Sequence, residues 1–188
     1  MDAAIEGKTL CDILARNATT FGDEPATAFK SNGEWLTSTW REYREEVARV
    51  ALGLQALGVE RGDCVALMTR NRPEHLVCDL AALHLGAIPV SLYNSFSADQ
   101  VAGVAADCRP KVAVIEKEDQ LPLWQDAFAE LDHLVIIEDT GRSEDKAIAY
   151  ADVEDRGRVA LKTDRERFEQ EWGRLRPSDP ATIIYTSG

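Results

Sequence analysis

The stretch from residue 64 to residue 92, CVALMTRNRPEHLVCDLAALHLGAIPVSL, contains the pattern that decides the fold class. Its first six residues, 64–69, form an apolar run that predicts a buried strand. Asn-Arg-Pro-Glu at 71–74 then places a proline and an acid in the first turn of a helix, where both are favoured. That helix is predicted to end at Gly86 and to be followed by a second apolar strand, residues 87–92. The stretch therefore predicts a strand–helix–strand unit.

The same alternation continues toward the carboxyl end. Ser97-Ala98-Asp99-Gln100 predicts a capped helix, and residues 119–130 predict another, with Pro122 in its first turn. Residues 111–115 and 134–137 predict short apolar strands. Strands that are apolar throughout and separated by helices are typical of a parallel sheet covered on both faces. We therefore predict an α/β fold, a doubly wound, mostly parallel sheet with flanking helices.

The amino-terminal part predicts a helix over residues 9–21 and then a small β-hairpin. Asn32-Gly33 separates two β-prone runs, and both turn positions of such a hairpin favour positive φ. Thr39-Trp40-Arg41-Glu42 matches a capping box, which predicts the start of a long helix. Its inward residues are expected to be Tyr43, Val47, Val50, Leu54 and Leu57.

The later part of the chain has a weaker pattern. Residues 138–155 are acidic and less periodic, with a loop predicted at residues 139–143, and residues 151–172 predict one or two exposed helices. Ala181 to Tyr185 are rich in β-branched and aromatic residues after an Asp-Pro break. That run predicts a short buried strand.

Composition limits the class of protein. With 188 residues the chain can form one sizeable core, so a single domain is expected. The formal net charge of −12 argues against nucleic acid as a partner, because phosphate backbones require clustered Lys and Arg. No apolar run approaches the roughly 20 residues that span a bilayer, and the first residues lack the pattern of a signal peptide. A cytoplasmic protein is expected, and a peripheral position at a membrane remains open.

Most groups of potentially reactive side chains are expected to have a structural role and not a catalytic or metal-binding one. The four cysteines, at positions 11, 64, 78 and 108, have no metal-ligand spacing and are expected to be reduced thiols in apolar surroundings, so no metal site is predicted. His75 and His84 lie on one predicted helix but have no matching nucleophile, so neither is assigned a catalytic role. The acidic cluster Glu116, Glu118 and Asp119 is expected to form a solvated loop after a strand. No catalytic residue is predicted in this chain.

The final residues, 179–188, carry the one functional motif. The predicted strand leads directly into Thr186-Ser187-Gly188, two hydroxyl side chains and a glycine. Such a triplet after a strand can begin a loop that holds phosphate, because glycine permits a tight turn and backbone N–H groups and hydroxyls donate to the anion. Ordinary turns also contain such triplets, so the triplet by itself leaves both readings open.

The pattern Asp-x-Ala-x-Ile-x-Tyr-Thr-Ser-Gly at 179–188 resembles the start of the phosphate loop of the adenylate-forming, AMP-binding superfamily. Other landmarks resemble the same family, including the Trp-x-x-x-Thr-Trp-Arg pattern at 35–41 and Asn-Arg-Pro-Glu at 71–74. Ser-Leu-Tyr at 91–93, together with Gln100-Val101, is most similar to the long-chain fatty-acyl-CoA synthetases. The resemblance covers nearly the whole chain.

This resemblance implies an ATP-dependent, AMP-forming acid–thiol ligase that uses Mg²⁺ and coenzyme A with a small-molecule carboxylic acid, here a long-chain fatty acid. It assigns nucleotide and phosphate binding to Thr186, Ser187 and Gly188. The family's loop continues beyond such a triplet, so residues 1–188 are expected to be one α/β domain within a larger AMP-binding domain that is truncated at the phosphate loop. The fragment alone is expected to be inactive, to bind no cofactor tightly, to associate with the rest of its own polypeptide, and to self-associate through uncovered sheet surface.

Three alternatives remain open. The parent enzyme could adenylate another acid, such as an aryl, medium-chain or amino acid. The chain could be a stand-alone, flavodoxin-like binding module without catalytic function. It could also be a truncated or regulatory relative that acts through protein contacts.

Overall fold

The computed structural model describes residues 6–31, 33–139, 141 and 146–186, and these residues form an α/β sandwich beside a small hairpin. The α-helices are α1 Leu10–Thr20, α2 Trp40–Ala56, α3 Pro73–His84, α4 Ala98–Cys108, α5 Leu121–Trp124, α6 Tyr150–Thr163 and α7 Arg165–Trp172. The strands are β1 Pro25–Ser31, β2 Glu34–Thr39, β3 Cys64–Met68, β4 Ile88–Ser91, β5 Pro110–Lys117, β6 His133–Glu138 and β7 Ala147–Ala149.

The main sheet has five parallel strands in the order β4-β3-β5-β6-β7. Alternate residues of each strand point to opposite faces, so β3 contributes Val65 and Leu67 to one core cluster and Ala66 and Met68 to the other. Helices α2, α3 and α6 pack on the first face, and α4 and α5 pack on the second. The predicted doubly wound α/β fold is confirmed.

The amino-terminal predictions are confirmed as well. Strands β1 and β2 pair antiparallel, closing at Ser31 opposite Glu34, and Gly33 adopts a φ of 88° in the turn. Asn32 of the predicted Asn-Gly turn lies outside the described residues. Helix α2 begins with the predicted capping box, in which the Thr39 hydroxyl accepts from the Glu42 amide. All five residues predicted to face inward from this helix and its end are buried.

Two stretches differ from the predictions. Instead of one helix over 119–130, α5 is a single turn flanked by 3₁₀ segments at Glu118–Gln120 and Gln125–Glu130. This geometry aligns residues three apart, and it buries both Trp124 and Ala127 under the sheet. Beyond the predicted loop at 139–143, the acidic stretch up to residue 155 contains β7, which the sequence does not predict, and the first residues of α6.

Helix α6 is more buried than its charged sequence predicts. Tyr150, Val153 and Leu161 are all buried, and they belong to the same core cluster as the inward residues of α2. Gly53 of α2 and Gly157 of α6 let the two backbones approach so closely that a Cβ at either position would overlap a backbone carbonyl oxygen of the other helix. The predicted exposed helix is therefore exposed only on its outer face, and its inner face packs against α2 and the sheet.

Candidate functional site

The carboxyl ends of β3 and β5 define the place where this sheet is expected to bind ligands. The chain leaves β3 for α3 on one face, and it leaves the neighbouring strand β5 toward α5 on the other. In open parallel sheets, ligands bind in the crevice that forms where the connections diverge in this way. The residues after β3, β4 and β5 therefore make up the candidate site.

A buried carboxylate occupies this crevice. Glu116, near the end of β5, is 3% exposed, and its oxygens accept hydrogen bonds from the Arg70 backbone N–H at 3.1 Å and from Arg70 Nε at 2.9 Å and 3.0 Å. Arg70 Nη2 forms a further contact with Glu116, and Arg72 Nη1 lies 3.4 Å from it. The hydrogen bonds from Arg70 lower the pKa of Glu116 to about 2.

The expectation of a solvated acidic loop is therefore wrong for Glu116. A buried carboxylate requires charged or hydrogen-bonded partners, and the two arginines that follow β3 supply them. Arg72 also binds Glu74 at 2.8 Å and Glu138 at 2.9 Å, so the charge network extends from α3 to the end of β6. The network fixes the ends of three neighbouring strands relative to one another.

Gln120 lies shortly after β5, and its side chain binds residues at the same edge of the sheet. Its side-chain oxygen accepts from the backbone N–H groups of Glu116 at 2.8 Å and Lys117 at 3.1 Å. Its amide nitrogen donates to the Met68 carbonyl and to Asn94, both at 3.3 Å. One side chain thereby ties together the ends of β3 and β5 and the loop after β4.

His75 forms a second polar bridge across the edge. Its Nδ1 lies 2.8 Å from the Thr69 hydroxyl and its Nε2 lies 3.3 Å from the Ser91 hydroxyl. Thr69 also donates to the Arg70 carbonyl at 3.1 Å, so we assign the ring proton to Nδ1 and leave Nε2 to accept from Ser91. Burial lowers the pKa of His75, which favours this neutral form.

The carboxyl-terminal segment runs along the outer edge of β4. Ile183 forms a single parallel bridge with Val90, and the burial of residues 182–186 alternates between exposed and half-buried. The prediction of a buried strand over 181–185 is wrong, because one face of this segment is open and Ile184 is 72% exposed. Ile183 and Tyr185 face the core, where they pack against the cluster beneath α4.

The same segment borders the candidate site. Thr182, Ile184 and Tyr185 line one cleft together with Arg70, Ser91 and Tyr93. Thr186, the first residue of the predicted phosphate loop, is exposed immediately after them. Ser187 and Gly188, the other two predicted site residues, lie outside the described residues.

Sequence reasoning missed the polar residues of this edge, namely Arg70, Arg72, His75, Glu116 and Gln120. Their common signal is position, since each strand-end residue follows an apolar run that the sequence did reveal. Some of their partners, such as Glu116 for Arg70 and Asn94 for Gln120, lie far away in the sequence, so spacing alone could not pair them.

Two kinds of feature are absent from the part of the chain that the structure describes. Within it, no three His, Cys, Asp or Glu side chains are grouped so as to hold a metal ion. No helix in those ranges is both long enough and apolar enough to cross a bilayer. All four cysteines are free thiols, three of them buried and Cys108 partly exposed.

Comparison with known families and sequences identifies the relatives of this chain. The family model described as AMP-binding enzyme matches residues 14–188. An uncharacterized protein of Mycobacterium tuberculosis is 41% identical over 58% of this chain and 62% of its own length. The long-chain-fatty-acid–CoA ligase FadD15 of Mycobacterium bovis is 30% identical over 84% of this chain, which is 25% of the ligase. Acetyl-coenzyme A synthetase of Xanthobacter autotrophicus is 31% identical over 94% of this chain and 29% of its own.

A solved structure shows the same relationship. A Rhodopseudomonas palustris protein described as a long-chain-fatty-acid CoA ligase superposes with a TM-score of 0.68 at 28% identity, over 79% of this chain and 37% of that chain. The chain thus spans less than two thirds of each of these relatives, and between a quarter and three tenths of the two curated ligases.

Proposed function

Because this chain belongs to the AMP-binding enzyme family, we propose that it forms part of an ATP-dependent, AMP-forming acyl-CoA ligase that acts on a long-chain fatty acid. Residues 1–188 would be one α/β domain within a larger AMP-binding domain. The observation that carries the proposal is the path of residues 181–185, of which Thr182, Ile184 and Tyr185 line the cleft at the carboxyl ends of the strands, and which lead directly into Thr186.

The proposed reaction has two steps. The carboxylate attacks the α-phosphate of ATP, which enters with Mg²⁺ as its substrate complex, and the products are an acyl-adenylate and pyrophosphate. The thiol of coenzyme A then takes the acyl group and AMP leaves. The hydroxyl groups of Thr186 and Ser187 would donate hydrogen bonds to the β- and γ-phosphates. The backbone N–H at Gly188 would donate a further one. Donors fixed in these positions stabilise the charge that develops on the leaving pyrophosphate.

A second candidate concerns the acid. The similarity to FadD15 favours a long-chain fatty acid, whereas the similarity to an acetyl-CoA synthetase, at 31% identity, supports a short-chain acid on the same scaffold. Both candidates share the adenylation chemistry and the same phosphate loop, and they differ only in the acyl pocket.

The test measures AMP release by the complete polypeptide with ATP, Mg²⁺ and coenzyme A, using palmitate, acetate and benzoate in turn. We expect kcat/KM for palmitate to exceed that for acetate by about 100-fold or more, because each methylene bound in an apolar pocket contributes about tenfold or more. A preference for acetate would establish the second candidate. AMP release with none of a wider panel of acids would overturn the ligase proposal.

We also propose that the 188-residue chain alone is inactive. Its relatives are much longer, and a phosphate loop separated from the helix that follows it lacks that helix's free N–H groups. Isothermal titration of the purified chain with MgATP should give weak or no binding. A micromolar dissociation constant, or acyl-CoA formation by this chain, would contradict the proposal.

Exposed apolar side chains support a role for further polypeptide as a partner. Trp35, Tyr93 and Ile184 are each about two thirds exposed or more. Apolar surface of this kind favours contact with another part of the protein or with a second copy. Sedimentation of the isolated chain should therefore show concentration-dependent association, whereas a monodisperse monomer at all concentrations would contradict it.

A further inference from the structure

Side-chain contacts at Asp179, Thr182 and Tyr185 hold the segment that leads to Thr186. Arg61 Nη2 binds Asp179 at 2.5 Å, where the segment begins. The Thr182 hydroxyl donates to the Pro89 carbonyl at 3.1 Å, beside the single backbone bond from Ile183 to the same oxygen. The Tyr185 hydroxyl donates to Asp107 Oδ2 at 2.6 Å. The last of these is the final contact before the proposed phosphate loop.

Asp107 is an unusual residue for its place in the fold. It lies in the last turn of α4, where the helix dipole disfavours a negative charge, and that turn contains no basic residue. Helix stability therefore does not account for an acid here. The hydrogen bond from Tyr185 accounts for an acid at this position, because a carboxylate is the strongest acceptor that the chain could offer to a phenol.

The two ends of this bond differ in how firmly they are held. Asp107 belongs to a regular helix whose side chains Val101, Val104 and Ala105 are buried in the core. Tyr185 belongs to a segment with one backbone bridge, and its ring is half-buried beside that core. The helix thus provides a fixed point, and the segment is the part that requires fixing.

We propose that Asp107 is a positioning residue for nucleotide binding, because its bond to Tyr185 sets the direction in which the chain enters Thr186-Ser187-Gly188. This inference rests on the proposed function of that triplet. Asp107 does not touch the nucleotide. It acts by limiting the orientations of Tyr185, and preorganised donors bind phosphate more tightly than mobile ones.

The kinetic test uses Asp107→Ala and Asp107→Asn in the complete polypeptide, with Asp99→Ala as the matched control. Asp99 is exposed in the first turn of the same helix, so its replacement removes the same charge away from Tyr185. We expect Asp107→Ala to raise KM for ATP about tenfold, as the loss of one charge-assisted hydrogen bond predicts. KM for the acid and for coenzyme A should remain unchanged. Asp107→Asn should restore most of the affinity, because its amide oxygen still accepts the bond.

Hydrogen exchange on the same variants separates this inference from the proposed function. Asp107→Ala and Tyr185→Phe should each speed amide exchange over residues 182–186 and leave the middle of α4 unchanged. Unaltered exchange over 182–186, or an unchanged KM for ATP in an active enzyme, would overturn the positioning role. If the wild-type protein forms no AMP with any acid, the proposed function fails, and the role of Asp107 in nucleotide binding falls with it even where exchange changes as expected.

Discussion

Helices α2 and α6 meet along their backbones, whereas residues 181–186 touch the rest of the protein through one bridge, a few polar bonds and the side chains of Ile183 and Tyr185. At the helix contact, Gly53 and Gly157 leave no room even for a methyl group. Along the final segment, every second side chain is exposed to solvent. The first region is closely packed where the two helices meet, and the second is open on one side.

This difference separates the part of the molecule that maintains the fold from the part that we propose to act on a ligand. Close packing resists any change of volume, so it is suited to a scaffold. Segments that bind ligands and move with them come from the less stable part of a structure. The proposed phosphate loop therefore follows a segment, residues 181–185, that pairs with the sheet through a single backbone bridge.

The largest expected effect on stability comes from a substitution in the close contact between α2 and α6. Gly157→Ala should lower the free energy of unfolding by about 3 kcal/mol or more, because the new Cβ would overlap the Arg49 carbonyl oxygen and neither backbone can move freely. Urea unfolding followed by circular dichroism measures this effect.

Gly103→Ala is the matched control for that substitution. Gly103 lies in the interior of α4, and a Cβ there would meet no atom within 4 Å. Alanine should therefore leave stability unchanged or raise it by about 0.5–1 kcal/mol through its better helix propensity. If the two variants were equally stable, α2 and α6 would not pack as closely at Gly157 as the structure shows.

An intermediate effect is expected at the carboxyl edge of the sheet. Glu116→Gln should cost about 2 kcal/mol, since it weakens the buried acceptor of Arg70 while the arginine itself, 69% exposed, can still be solvated. The cost should be smaller than that of Gly157→Ala, and urea unfolding near neutral pH measures both.

The pH dependence of Glu116 sharpens this prediction. Its pKa is lower in the folded protein, at about 2, than its ordinary value of 4.5. A lowered carboxyl pKa stabilises the fold above the unfolded pKa, and this contribution is lost as the pH falls toward the folded value. Between about pH 6 and about pH 4, wild type should lose on the order of 1 kcal/mol more than Glu116→Gln. A difference between the two proteins that stays constant over this range would contradict the assigned pKa.

The smallest effect on stability belongs to the open segment. Thr182→Val removes one partly exposed hydrogen bond to Pro89 and should cost only about 0.5 kcal/mol. It should nonetheless speed amide exchange over residues 182–186. Thr163→Val is the control, because it removes a similar hydroxyl–carbonyl bond on α6. A loss of stability as large as that of Gly157→Ala would mean that the final segment belongs to the scaffold after all.

Sequence patterns predicted the scaffold better than the site. Apolar runs such as 64–69 and capping boxes such as Thr39–Glu42 are local signals, and the structure confirms the elements they predict. The close approach of Gly53 and Gly157, 104 positions apart, leaves no local signal because each glycine could equally occur on an exposed helix. Strand β7 has only three residues, two of them alanines, which is too short for an alternating pattern.

The site shows the same limit. The resemblance to the AMP-binding family indicated the triplet 186–188 from a short motif, and that assignment remains a prediction. Glu116 looked like part of an exposed acidic run because its partners, Arg70 and Arg72, lie more than forty residues earlier. Only the parallel pairing of β3 with β5 brings them together, and such pairing cannot be read from either strand alone.

The measurement that tests the central claim most directly is acid-dependent exchange of pyrophosphate into ATP by the complete polypeptide, with and without the double substitution Thr186→Ala and Ser187→Ala. Removing donors to the developing charge should lower the exchange rate by about 100-fold or more, while the free energy of unfolding stays within about 0.5 kcal/mol of wild type because Thr186 is exposed. An exchange rate that survives the double substitution unchanged would contradict the phosphate loop assigned to these residues.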